Sequence, residues 1–166
     1  MNPTQNQPDP GAPADLTPAD ILRCAARYLE LHGWNQGTYY ALTDNSPFPP
    51  ACVTGAIGMA AYGRFTLMPA DMTHDPGFGD YDRAVQYLVD YLDLHDENNH
   101  DDPTPFGWND RPNRTAAQVI ATLRAAADDY DWTHATEDQL ETYADACVWA
   151  EKHPTHEGFL AWLGAR

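Results

Sequence analysis

The chain has 166 residues and a formal net charge of −16, with 25 acidic side chains against nine basic ones. That length suffices for one domain with a buried core. The acid excess argues against nucleic acid or an anionic membrane as a direct partner, because binding phosphate needs cationic contacts.

Residues 1–15 are mostly Pro, Asn, Gln, Gly and Ala, with no large apolar group after Met1. Such a stretch buries too little to offset its ordering entropy, so a flexible arm is expected, followed by a single helical domain over 16–166. Thr17-Pro18-Ala19-Asp20 signals a helix start, and Ile21, Leu22, Ala25, Tyr28 and Leu29 recur at helical spacing until Gly33. Residues 37–44 read as extended, before Pro47, Pro49 and Pro50 interrupt regular structure. Residues 51–62 read as a short helix ending at Gly63. Two glycines inside it, Gly55 and Gly58, imply a neighbour lying close to its backbone.

Residues 64–79 read as a loop. Asp80 caps a third expected helix with Ala84, Val85, Leu88, Val89 and Leu92 on its buried stripe. Residues 95–105 read as a polar loop. Thr115 with Gln118, and Thr136 with Gln139, form capping boxes that open a fourth and a fifth helix. The fifth is expected to bury Leu140, Tyr143, Ala144, Cys147 and Val148. A last short helix carries Phe159, Leu160, Trp162 and Leu163. Strand signals are few, so the expected class is mainly α: an irregular bundle of five or six short helices with little or no sheet.

The N-terminus lacks a basic region followed by an apolar one, and no run of eighteen apolar residues occurs. With three widely spaced cysteines, Cys24, Cys52 and Cys147, the expectation is a cytoplasmic protein with reduced thiols.

Three segments stand out together: His32-Gly33-Trp34-Asn35-Gln36-Gly37, Cys52-Val53-Thr54-Gly55-Ala56, and Trp108-Asn109-Asp110 with Arg114-Thr115-Ala116. In combination they resemble a small uncharacterised domain family of actinobacteria and their phages. That family pairs a Gly-Trp-x-Gln-Gly segment with a Cys-x-x-Gly-Ala helix and a Trp-Asn-Asp…Arg-Thr segment. The resemblance covers roughly residues 21–126 and implies a shared fold without a known activity. The loop around His95 and the helices from Thr136 onward look like extensions.

Cys52 is the candidate nucleophile, since a helix N-terminus favours thiolate. A hydrolase also needs a base within reach, and no histidine falls in a segment facing that helix. The competing reading is a small buried thiol. His95, Asp96, Glu97, His100, Asp101 and Asp102 crowd together without a metal-binding spacing, as do Cys147, His153 and His156, so neither metal nor cofactor is expected.

Trp108, Asn109, Asp110 and Arg114 could clamp an anion or a partner's backbone. Structurally, Asp110 would accept bonds from helix N–H groups and from Arg114 while Trp108 plugs the core. Trp34 is expected to pack and Gln36 to bond a buried carbonyl. Asp128, Asp129 and Asp131 crowd a helix C-terminus, a docking point for a basic partner unless the helix ends earlier. The acidity reads most plainly as solubility, with a high-salt cytoplasm or mimicry of nucleic acid as further readings. The expected function is that of a non-enzymatic accessory protein binding another protein. The alternatives are a cysteine-dependent hydrolase or transferase centred on Cys52, and an acidic nucleic-acid mimic that inhibits a DNA-binding host protein.

Overall fold

A computed structural model describes residues 16–42, 46–96 and 104–165; the arm read over 1–15 lies outside them. Among these residues the chain forms seven α-helices and no strand: α1 (Pro18–His32), α2 (Val53–Tyr62), α3 (Phe78–His95), α4 (Pro105–Asn109), α5 (Ala116–Thr133), α6 (Glu137–Trp149) and α7 (His156–Gly164). The mainly-α irregular bundle is thus as expected. No helix among the described residues is long and apolar enough to cross a membrane.

Local signals account for most helix ends. Thr17 and Asp20 bond reciprocally at the start of α1, as do Thr115 and Gln118 at α5 and Thr136 and Gln139 at α6. Gly63 closes α2 in the left-handed conformation, with φ 64. The helix that the sequence does not announce is α4, five residues long, capped by the Thr104 hydroxyl and opened by Pro105. It is too short to show a period. A single 3₁₀ turn, Pro69–Asp71, interrupts the stretch read as loop, and α3 starts at Phe78, capped by Gly77 rather than by Asp80.

Helix α1 is the central element. Its face bearing Ile21, Leu22, Ala25, Ala26 and Leu29 is buried, and it packs on α5, α2 and α3. Trp108, Ile57, Leu88, Leu92, Val119 and Leu123 complete this main core. A smaller cluster of Tyr143, Cys147 and Phe159 joins α6 to α7, and α7 rests on α5.

Two expectations are corrected. The acidic run at the end of α5 does not end the helix early and is not a free docking point. The helix continues to Thr133, Arg23 of α1 bonds both Asp128 and Asp131 at 2.7 Å, and Asp129 accepts from the Tyr87 hydroxyl at 2.8 Å. The stripe expected to be buried on α6 is only half covered: Tyr143 and Cys147 are buried, whereas Leu140 is 40 % and Val148 74 % exposed. Only α7 packs on this helix to any extent, so one neighbour covers one side of it.

The small residues of α2 have the purpose expected of them. A Cβ on Gly55 would lie 2.3 Å from the Tyr39 carbonyl oxygen, and one on Gly58 would lie 2.7 Å from Pro69 Cβ. Alanine in a free helix is favoured over glycine by about 1 kcal/mol. Here backbone blocks the added methyl, so Gly55→Ala should instead destabilise by about 2 kcal/mol, the scale of overpacking a core. Thermal unfolding checks the sign: a Gly55→Ala variant that melts higher than wild type would mean the 39–40 segment moves away freely.

Candidate functional site

The three sequence segments singled out converge on one side chain. Asn109, the last residue of α4, is fully buried. Its Oδ1 accepts from Trp34 Nε1–H at 2.8 Å and from the backbone N–H of Val53, the first residue of α2, at 3.1 Å. Its Nδ2 donates to the Asn35 carbonyl at 3.1 Å and to Asp110 Oδ1 at 2.7 Å. A carboxamide has two donor hydrogens and two acceptor lone pairs, so all four positions are used.

Neighbouring groups extend the same junction. Gln36 Nε2 donates to the Asn109 carbonyl at 2.9 Å and to that of Arg111 at 3.2 Å, fulfilling its expected role. The Gly37 N–H points between both oxygens of Asp110, 3.0 Å from each. Gly37 has φ 82, a left-handed backbone that a side chain would strain. On the other side of the loop, the backbone of residues 33–41 clasps residues 50–52. Asn35 N–H donates to Ala51 O, Ala51 N–H to Gly33 O, Ala41 N–H to Pro50 O and Cys52 N–H to Tyr39 O, all at 2.8–3.1 Å. These bonds make two isolated bridges at Ala51 where the sequence suggested an extended run.

A second knot lies beside the first. Trp108 is buried, and its Nε1–H donates to Asp96 Oδ2 at 2.8 Å. Arg111 and Arg114 approach the same oxygen at 3.0 and 3.6 Å. The Arg114 guanidinium lies 4.1 Å over the Trp108 ring, and its Nε donates to the Trp108 carbonyl. Asp96, read from the sequence as part of a solvated loop, is therefore structural. Burial holds the Arg114 pKa below its ordinary value, opposed by the Asp96 carboxylate. The expected Asp110–Arg114 pair is corrected: the carboxylate turns to Gly37 and Asn109, and the guanidinium to Trp108 and Asp96.

Cys52 caps α2. Its sulfur accepts the Gly55 N–H at 3.4 Å and lies 3.2 Å from the Thr54 hydroxyl. The residue is fully buried, and burial pushes the thiol up despite these bonds. Desolvation thus overrides the helix-terminus effect expected to favour thiolate. Neither polar partner is a general base. Among the described residues no three His, Cys, Asp or Glu side chains converge as a metal site would require; 97–103 lie outside them.

The junction's outer side is a groove that no sequence signal announces. Tyr39, Tyr40, Leu42, Leu67, Met68 and Phe106 line an open, mainly apolar space of about 400 Å³. Leu42, Leu67 and Met68 are exposed. Tyr39 and Phe106 meet edge to face, with centroids 5.5 Å apart, and tie the groove wall to α4.

Asn109→Ala should cost about 3 kcal/mol, since several buried groups lose their partners together. Asp110→Ala should cost about 1–2 kcal/mol. The two should be less than additive because they share a bond, whereas Asp110→Ala and Arg114→Ala, which share none, should add closely. A double-mutant cycle in denaturant measures both couplings; strong coupling between positions 110 and 114 would contradict the geometry. Iodoacetamide should label exposed Cys24 readily and leave Cys52 unmodified until the protein unfolds. Mass spectrometry of the native protein reads this directly, and rapid native labelling of Cys52 would show an accessible, activated thiol.

No curated protein and no solved structure matches the chain. Residues 13–129 match a family of unknown function, DUF6197. That span holds α1 to α4, most of α5, the whole Asn109 junction and the groove, and leaves out α6 and α7. The chain belongs to this family of unknown function.

Proposed function

We propose that this protein is a non-enzymatic accessory protein that binds another protein, and that the groove beside the Asn109 junction receives an apolar side chain of the partner. The observation carrying this reading is a group of exposed apolar residues, Leu42, Leu67 and Met68, over a space walled by fixed backbone. Exposed apolar residues gathered at a concavity mark interaction sites more often than isolated ones do. The surrounding hydrogen bonds hold the wall in place before binding, which lowers the ordering cost of association. Behind the groove, Gln36, Asn109 and Asp110 bond the loop that carries its wall. The combination of sequence segments supports an origin among the accessory proteins of actinobacteria and their phages, acting in the cytoplasm.

The cysteine-dependent reading gains no support from a sealed thiol whose pKa is raised. The nucleic-acid-mimic reading rests on composition alone.

A photo-crosslinking residue at position 67 tests the proposal in a lysate of the cells that encode the chain. One dominant partner should be captured. Leu42→Asp with Leu67→Asp should abolish capture while leaving the melting temperature within about 2 °C, because both side chains are already exposed. Capture unaffected by the two aspartates would sink the groove as the binding surface.

A further inference from the structure

Helix α6 has two adjacent rows of side chains, one apolar and only partly covered by the described structure, the other acidic and without an ion pair in it. Leu140, Ala144 and Val148 are four residues apart and share one face. Leu140 and Val148 are exposed, and Trp149 at the helix end is 89 % exposed. At the Leu140 end of the row an open, mainly apolar cavity of about 250 Å³ is lined by Trp132, Leu140, Tyr143, Ala144 and His156. Glu137, Glu141 and Asp145, also four apart, form the neighbouring row, and all three are exposed.

Like charges at this spacing destabilise a helix unless an opposite charge lies nearby. Among the described residues none of these three carboxylates forms an ion pair. All seven described arginines form ion pairs elsewhere, with Glu30, Asp75, Asp80, Asp96, Asp128 and Asp131 as their partners. Lys152 is the only lysine in the sequence. The apolar row follows the helical period expected of a packed face, yet it is only partly covered, least of all at Val148, and the acids beside it form no ion pair among the described residues. A basic amphipathic segment supplies both deficits at once, by laying apolar residues at helical spacing on the row and setting Lys or Arg against the carboxylates.

We propose that α6 carries a docking surface for a basic amphipathic segment of a partner protein. One apolar side chain of that segment enters the cavity beside Trp132, and its cations pair with Glu137, Glu141 and Asp145. This surface is separate from the groove and lies beyond residues 13–129, so it does not depend on what the groove binds.

The probe is a synthetic Leu/Lys peptide of about 14 residues with its leucines on one helical face. It is compared with a scrambled peptide of identical composition by fluorescence anisotropy on the full chain. The amphipathic peptide should bind roughly tenfold more tightly than the scramble, because apolar registry adds to charge. Leu140→Ser with Val148→Ser should weaken it about tenfold, as should Glu141→Lys with Asp145→Lys. Asp82→Lys with Asp90→Lys on α3, the same change in net charge, should weaken it no more than about twofold. Equal loss from the α3 and α6 charge variants would overturn the proposal, because it would reduce binding to attraction by net charge. Loss caused by Leu42→Asp with Leu67→Asp would place the peptide in the groove and also overturn it. Sedimentation of the chain alone provides the last arm: a dimer dispersed by Val148→Arg would assign the face to a second copy and refute a basic partner.

Discussion

A single buried carboxamide holds the distinctive part of this fold together. Asn109 takes two hydrogens and gives two, and its four partners belong to three stretches of chain that share no helix. A carboxylate there could not donate to Asn35, and an aliphatic group would leave the Trp34 and Val53 N–H groups unpaired in the interior. The cost of such orphans exceeds the modest net value of any one bond. The position therefore selects asparagine by its count of donors and acceptors rather than by its size.

From this junction the remaining geometry follows by contact. The clasped backbone at Ala51 sets where α2 begins. Gly55 lets the Tyr39 carbonyl lie against that helix, and the Tyr40 hydroxyl donates to the Gly55 carbonyl at 3.0 Å. The main core under α1 supports this arrangement and is built by ordinary helical burial. The loop over 33–41 is thus irregular in conformation but firmly anchored, an unusual pairing for a segment with so little secondary structure.

What could be read in the sequence divides along the range of the interactions. The caps of α1, α5 and α6 were legible because a threonine and its partner three residues on complete the signal locally. Gly55 and Gly58 were legible because glycine inside a helix needs a spatial reason. Gln36 was assigned the right kind of partner, a buried carbonyl, without its identity. The Asp110–Arg114 pairing failed because nearness in sequence stood in for nearness in space. A turn with Asn113 at φ 67 separates them, and each finds partners in α4, in the 33–41 loop or at Asp96 just past α3. The groove was invisible for the same reason: Leu42 and Leu67 come from two loops and Phe106 from the five-residue α4, with no shared period. The stripe on α6 shows the opposite failure, since a helical pattern states that a face is suited to burial and not what buries it.

The pairing of α1 with α5 bears on how the chain is made. Arg23 meets its aspartate 105 residues later in the sequence. A ribosome adds about 5–20 residues per second, so the apolar face of α1 waits on the order of 5–20 s before its principal neighbour exists. Until then only α2 and α3 are available to cover the face that bears Ile21, Leu22 and Leu29. Helical proteins usually complete their contacts between near neighbours and fold quickly; this bundle closes its core only when a distant helix returns to the first. Its vulnerable period is therefore its synthesis.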